Sequence, residues 1–209
     1  MGMPSQRVAL TFDDGPGPYT HAVLDVLARH GVIATFFVVG RNAERHPRLV
    51  HRIADEGHVI ASHSLTHPDP WTLPLRELVR DYRDGRRAVE DSIGASVPLF
   101  RPPKGHLGLQ GAVAARLTGS ETWLWTKDAA DWEGTLEARD VVDRLTPLVP
   151  GDVVLLHDGL EKPMTPSALD RSAMVAGLDE LLTVARDTGI RFDRLAAGGH
   201  GPVIPELGT

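Results

Sequence analysis

The stretch Val8-Ala9-Leu10-Thr11-Phe12-Asp13-Asp14-Gly15-Pro16 decides how this chain is read. A short apolar run stops on two acids and turns sharply at Gly-Pro, as a strand does at its C-terminal end. Neighbouring carboxylates repel each other, and burying either without a partner costs roughly several kcal/mol. A bound cation relieves that cost, and the chain offers further ligand types for one at His63 and His67.

Working outward, strand-like and helix-like segments alternate without a break. Strands are predicted at Arg7–Phe12, Ile33–Val39, His58–Ala61, Pro98–Arg101, Thr122–Thr126, Asp152–Leu156 and Ile190–Phe192. Several run apolar without alternation, as strands covered on both faces do. Between them Val23, Val26 and Leu27 mark one helix face before Gly31, and Pro47 opens another helix carrying Leu49, Val50 and Ile53 up to Gly57. Leu75, Leu78, Val79 and Tyr82 hold the i, i+3, i+4, i+7 spacing, and Leu178, Leu181 and Leu182 repeat it late in the chain. The pattern predicts one α/β domain with a largely parallel sheet, its core at about residues 6–195 and a tail at 196–209. Seven strands suggest a closed or nearly closed barrel.

Composition narrows the partners. A net charge of −6 argues against nucleic acid or an anionic membrane, since both call for a basic face. With no cysteine, disulfides, thiolate metal sites and a thiol nucleophile are all excluded. Met1 to Gln6 is too short and polar for a signal peptide, and no segment approaches a spanning helix. The default expectation is a cytoplasmic protein, or a secreted one if a leader has been removed.

Polar clusters fall at or just after successive strand ends: Asp13/Asp14, His63/His67, Arg101, Asp128/Asp131 and His157. In a parallel β/α barrel those ends share one face, where sites are built. The two imidazoles of Ser62-His63-Ser64-Leu65-Thr66-His67-Pro68 stand four residues apart, a spacing that serves one ion. They read equally as two hydrogen-bonded histidines near a turn, but Asp14 on a neighbouring strand end favours the metal. Two histidines and one carboxylate leave an open coordination position, as catalytic zinc requires.

Thr11-Phe12-Asp13-Asp14-Gly15, His63-Ser64-Leu65-Thr66-His67, Arg101-Pro102-Pro103-Lys104-Gly105, Asp128-Ala129-Ala130-Asp131-Trp132 and Leu155-Leu156-His157 resemble, in order, the five motifs of the polysaccharide deacetylases. This is the NodB-homology family of carbohydrate esterases, family 4. The motifs span residues 11 to 157 of 209. The resemblance implies a distorted (β/α)7 barrel, TIM-like, and metal-dependent removal of acetyl groups, usually from N-acetylated sugars. It implies that Asp14, His63 and His67 hold a divalent metal, most plausibly zinc, with cobalt, nickel or manganese as alternatives. Asp13 is then the general base toward the attacking water, and His157 the acid that protonates the departing amine. The backbone N–H of Lys104 faces the oxyanion. Arg101 orients the base, Asp131 orients the acid, and Trp132 and Leu155 wall the pocket for the acetyl methyl.

Other readings of these residues stand beside those roles. Arg101 reads equally as a strand-end ion pair, Asp131 as a cap or turn residue, and Trp132 as core; Trp123 and Trp125, inside a predicted strand, read as core. His21, His30, His46, His51, His58 and His200 have no motif support and are expected in surface or local-structure roles, whereas His106 is a candidate for the cleft wall. The family usually carries an aromatic residue, most often tyrosine, where this chain has Lys104. That change leaves the backbone donor intact but replaces a flat ring with a hydrated cation, so it bears on substrate more than on chemistry. An O-acetylated xylan or a small non-sugar amide stays open as substrate, and a carbohydrate-binding relic without turnover is the distant alternative.

Overall fold

The opening strand, β1 (Arg7–Asp13), lies inside an eight-stranded, all-parallel sheet. The computed structural model describes residues 7–163 and 165–198, so His200 and the tail from residue 199 lie outside the described residues. The remaining strands are β2 (Thr35–Val38), β3 (Val59–Ser62), β4 (Leu99–Phe100), β5 (Glu121–Thr122), β6 (Lys127–Asp128), β7 (Val153–His157) and β8 (Arg191–Asp193). Their order across the sheet is β5-β4-β3-β2-β1-β7-β6, with β8 paired to the start of β1. Helices α1 (Thr20–His30), α2 (Gly40–Arg45), α3 (Pro47–Asp55), α4 (Leu75–Ile93), α5 (Gly108–Leu117), α6 (Ala138–Leu145) and α7 (Ser172–Asp187) fall between strands or pairs of strands. The sheet curls into a half-barrel with helices around it, a distorted β/α barrel in one domain.

Strands β2, β4 and β7 are buried along their whole length, on both faces, which explains the unbroken apolar runs. Leu10, Phe12, Phe36 and Val154 point into the layer shared with α1, α6 and α7, where Leu24, Leu27, Val141, Leu178 and Leu181 meet them. The alternate positions Phe37, Ala61, Leu99 and Val153 form a second, smaller cluster with Trp123. Phe12 stacks on Phe36 with centroids 5.0 Å apart, so β1 and β2 are tied by rings as well as by the ladder. Apolar spacing correctly marks α1, α3, α4 and α7. It does not mark α2, α5 and α6; of these, α6 is fixed by a capping box between Glu137 and Asp140. Among the described residues no helix is long and apolar enough to cross a membrane.

One expected strand is mostly a crossing segment between two short ones. The run Thr122–Thr126 divides into the end of β5 and a crossing segment before β6, because its two ends bond to opposite edges of the curled sheet. Trp123 N–H donates to Phe100 O at 2.9 Å, while Thr126 N–H donates to Val153 O at 2.9 Å. The segment thus bridges the gap between the sheet's outer strands. Its carbonyls lack a strand partner there and take an arginine instead: Arg101 Nε donates to Trp123 O at 3.1 Å and Nη2 to Leu124 O at 3.2 Å.

Candidate active site

Strand register assembles the site. Asp13 and His157 are Cα partners across β1 and β7, so two titratable groups far apart in sequence become neighbours. On the other side, Ser62 pairs with Phe100, which sets His63 beside Arg101 one residue later. All four leave C-terminal strand ends, and a cleft of about 370 Å³ opens over them.

Asp14, His63 and His67, all buried, each turn one ligand atom toward a common point. Nε2 of His63 lies 3.4 Å and Nε2 of His67 3.3 Å from Asp14 Oδ1, an oxygen with no hydrogen-bond partner among the described residues. Two atoms each ~2.05 Å from one ion at tetrahedral angles stand about 3.4 Å apart, so the three atoms fit a divalent metal. Two of the three ligands are held by their other polar atom, whereas His67 Nδ1 is buried without a hydrogen-bond partner among the described residues. His63 Nδ1 lies 2.8 Å from Arg101 O, which fixes the tautomer that presents Nε2, and Asp14 Oδ2 accepts from Glu161 N–H at 2.9 Å. Burial works to raise the Asp14 carboxyl, yet the imidazoles of His63, His67 and His157 outweigh it and hold it well below the usual carboxylate range. Burial pushes His67 down to about 4, so its ring is neutral and keeps a free lone pair at neutral pH.

The loop carrying the two histidines is shaped by α4. Leu65 N–H and Thr66 Oγ1 both donate to the Asp81 carboxylate, at 3.0 and 2.7 Å. A side chain at Gly85 would sit 2.2 Å from Ser64 C, so glycine is what lets the helix reach the loop.

Asp13 is buried beside Arg101, whose Nη1 donates to Asp13 Oδ1 at 2.7 Å and to Thr11 Oγ1 at 2.8 Å. The guanidinium also lies 4.0 Å over the Phe37 ring and is fully buried. Asp13 Oδ2 remains 3.7 Å from His63 Nε2, on the metal side. At the opposite wall His157 Nδ1 lies 2.7 Å from Asp131 Oδ1, and Arg171 pairs with Asp131 Oδ2. Burial alone would lower the His157 imidazole, but the Asp131 carboxylate, with Asp14 and Asp13 beyond it, lifts it to about 9.

Lys104 sits in a tight turn at Pro103–Gly105 with φ 59°, and its neighbours Gly105 and His106 help line the cleft. Trp132 and Leu155 form part of the same wall. Six non-glycine residues with positive φ occur among the described residues: Asp14, Ser64, His67, Lys104, Ala130 and Lys162. Four line the cleft; Ser64 separates the two histidines and Ala130 precedes Asp131. Left-handed backbone costs on the order of 1 kcal/mol or more at each such residue, and it gathers here because these turns aim side chains inward.

Every site residue expected from the sequence is thus at the cleft or directly behind it, Arg101 and Asp131 being the two behind. Sequence reading missed Arg171, Asp81, Glu161 and Lys162; Lys162 Nζ caps His67 O at 3.1 Å. Their partners are distant in sequence, and no local pattern announces them. Trp123 is core, as expected, whereas Trp125 is half-buried and lines the cleft, 5.6 Å from the Arg101 guanidinium. Trp125 belongs to the crossing segment rather than to a strand, and its ring packs against the smaller core cluster while also facing the cleft. His106 lines the cleft, and His58 serves local structure by accepting from Ala34 N–H at 3.1 Å.

Such a constellation on the C-terminal rim of a parallel barrel defines a hydrolase organised around a metal position. A family model described as polysaccharide deacetylase matches residues 2–122. The chain is 36% identical over 197 residues to a chitooligosaccharide deacetylase of Sinorhizobium fredii, covering 90% of this chain and 88% of the relative. It is also 36% identical over 188 residues to a peptidoglycan-N-acetylglucosamine deacetylase of Bacillus cereus, covering 88% and 84%. A crystal structure of the Bc1960 peptidoglycan N-acetylglucosamine deacetylase superposes with a TM-score of 0.80 at 33% identity, over 92% of this chain and 87% of that one. The chain belongs to the polysaccharide deacetylase family, the NodB-homology carbohydrate esterases. It is a deacetylase, a hydrolase acting on carbon–nitrogen bonds, of a family whose deacetylases are metal-dependent.

Proposed function

We propose that the protein removes the acetyl group from N-acetylglucosamine units of short chitin-type or peptidoglycan-type saccharides, using zinc held by Asp14, His63 and His67. The observation that carries this reading is the placement of a buried carboxylate and a buried imidazole as register partners beside one metal position. The relatives' named substrates point to the same sugar. When bound, the ion supplies a Lewis acid that polarises the acetyl carbonyl and acidifies water.

The chain's own residues do the rest. Asp13, fixed by Arg101 through one oxygen, keeps the other free to take a proton from the attacking water. His157 carries its proton at neutral pH and gives it to the leaving amine, a step an amide needs because its anion is a very poor leaving group. Asp131 orients that imidazole, and Arg171 in turn anchors Asp131. The backbone N–H of Lys104 serves as the oxyanion donor, and Trp132 and Leu155 limit the acyl group to acetyl.

Acetate release from chitin oligomers, acetylxylan and small N-acetyl compounds, measured with the metal-loaded enzyme, tests the substrate. Chitin oligomers are expected to lead; acetylxylan or a small amide in first place would overturn the assignment.

The acid also sets a pH limit. Activity requires protonated His157, so kcat/KM falls as pH rises through a limb near 9, or lower once the like charge of a bound cation acts on the ring. Asp131→Asn removes the negative charge that raises this group. The alkaline limb is then expected at least about one pH unit lower. An unmoved limb in a pH–rate profile of the folded variant would assign it to another group.

A further inference from the structure

Five large apolar side chains are exposed among the described residues, and Trp71 is the one aromatic ring among them. It is 69% exposed, yet it is held rather than free. Its indole lies on the His106 ring with centroids 4.0 Å and planes 10° apart. Its backbone N–H donates to Asp69 Oδ1 at 3.1 Å. A side chain at Gly108 would come within 3.0 Å of Trp71 Nε1, so α5 begins with the residue that leaves room for the ring.

The ring is continuous with the cleft. His106, which backs it, is part of the cleft wall, and so is Lys104. Asp69 joins the pieces: it accepts from Lys104 Nζ at 3.3 Å and stands 3.5 Å from His106 Nδ1. With one face on His106 and most of its surface in water, the indole offers its other face just outside the catalytic opening. A pyranose ring has a C–H face that packs on an aromatic plane and a rim of hydroxyls that bond to charged groups. The Trp71 plane flanked by Lys104 and Asp69 matches both halves of that chemistry.

We propose that Trp71, backed by His106, is a stacking platform for the sugar next to the one that loses its acetyl group. The inference rests on an N-acetylated oligosaccharide being the substrate, and it adds that the site reads a chain rather than a single sugar. Lys104 and Asp69 engage the hydroxyls of that neighbouring ring. The other role the geometry allows, a prop for the Lys104 turn, would affect every substrate alike.

The test measures kcat/KM for acetate release from N-acetylglucosamine itself and from its dimer through pentamer, with metal-loaded wild type, Trp71→Ala and Trp71→Phe. The dimer-to-monomer ratio is expected to fall about tenfold in Trp71→Ala, chiefly through KM, and largely to return in Trp71→Phe. An unchanged ratio, or an equal loss at every length, would overturn the platform while leaving the deacetylase assignment intact. A wild type that releases no acetate from any oligomer would sink the substrate assignment itself, and the platform with it.

Discussion

Asp13→Asn is expected to keep its metal and lose about three orders of magnitude in kcat, the span a positioned general base supplies. The amide oxygen can still accept from Arg101 Nη1, whose bond to Asp13 Oδ1 is 2.7 Å, so the arginine is not left unpartnered. What disappears is the basic oxygen that faces the metal side, 3.7 Å from His63 Nε2. Full removal of a buried ionic partner would cost roughly 3–5 kcal/mol of stability, and the asparagine avoids much of that by keeping the acceptor. Elemental analysis and single-turnover kinetics on the folded variant check both halves. A variant that loses the metal and regains activity on reconstitution would remove Asp13 from the base role and make it a ligand.

His63→Ala acts on the other carboxylate's work. It deletes one of three ligand atoms, leaving Asp14 and His67 to hold an ion that then lacks a complete protein set. It also frees Arg101 O, which accepts from the His63 ring at 2.8 Å. Metal affinity is expected to fall by at least about two orders of magnitude, and turnover with it. Unchanged metal content at stoichiometric loading would exclude His63 from the set. The two variants therefore separate the paired aspartates' surroundings: one keeps the ion without chemistry, the other loses the ion first.

The parts visible in the sequence share a physical cause. A strand that ends on Asp13 and Asp14 advertises an electrostatic cost, and His63 and His67 advertise a remedy within one loop. Both signals are local. Strand and helix alternation likewise follows from periodicity within short windows, and it yields the parallel barrel and the rim on which the site stands. Arg171 is hidden because its partner, Asp131, lies 40 residues earlier and on another element. Trp125 is hidden for a different reason: a β-propensity reading keeps Thr122–Thr126 in one strand, whereas the sheet's curvature requires that run to cross from one edge to the other. Trp71 carries no periodic signal, since its role depends on His106, 35 positions later in the chain by residue number.

That crossing has a consequence for how this molecule can change over generations. Arg101 spends one N–H of its guanidinium on Asp13 and two others on the carbonyls of Trp123 and Leu124. The group that aligns the base is also the stitch that closes the wall. A lineage cannot loosen one duty while keeping the other, because among the described residues Arg101 alone makes these side-chain bonds. Lysine, with a single point of charge, could serve the carboxylate or the carbonyls but not both. Drift in substrate range is therefore free to proceed through the rim, at positions such as Lys104 and Trp71, while the seam stays tied to the reaction.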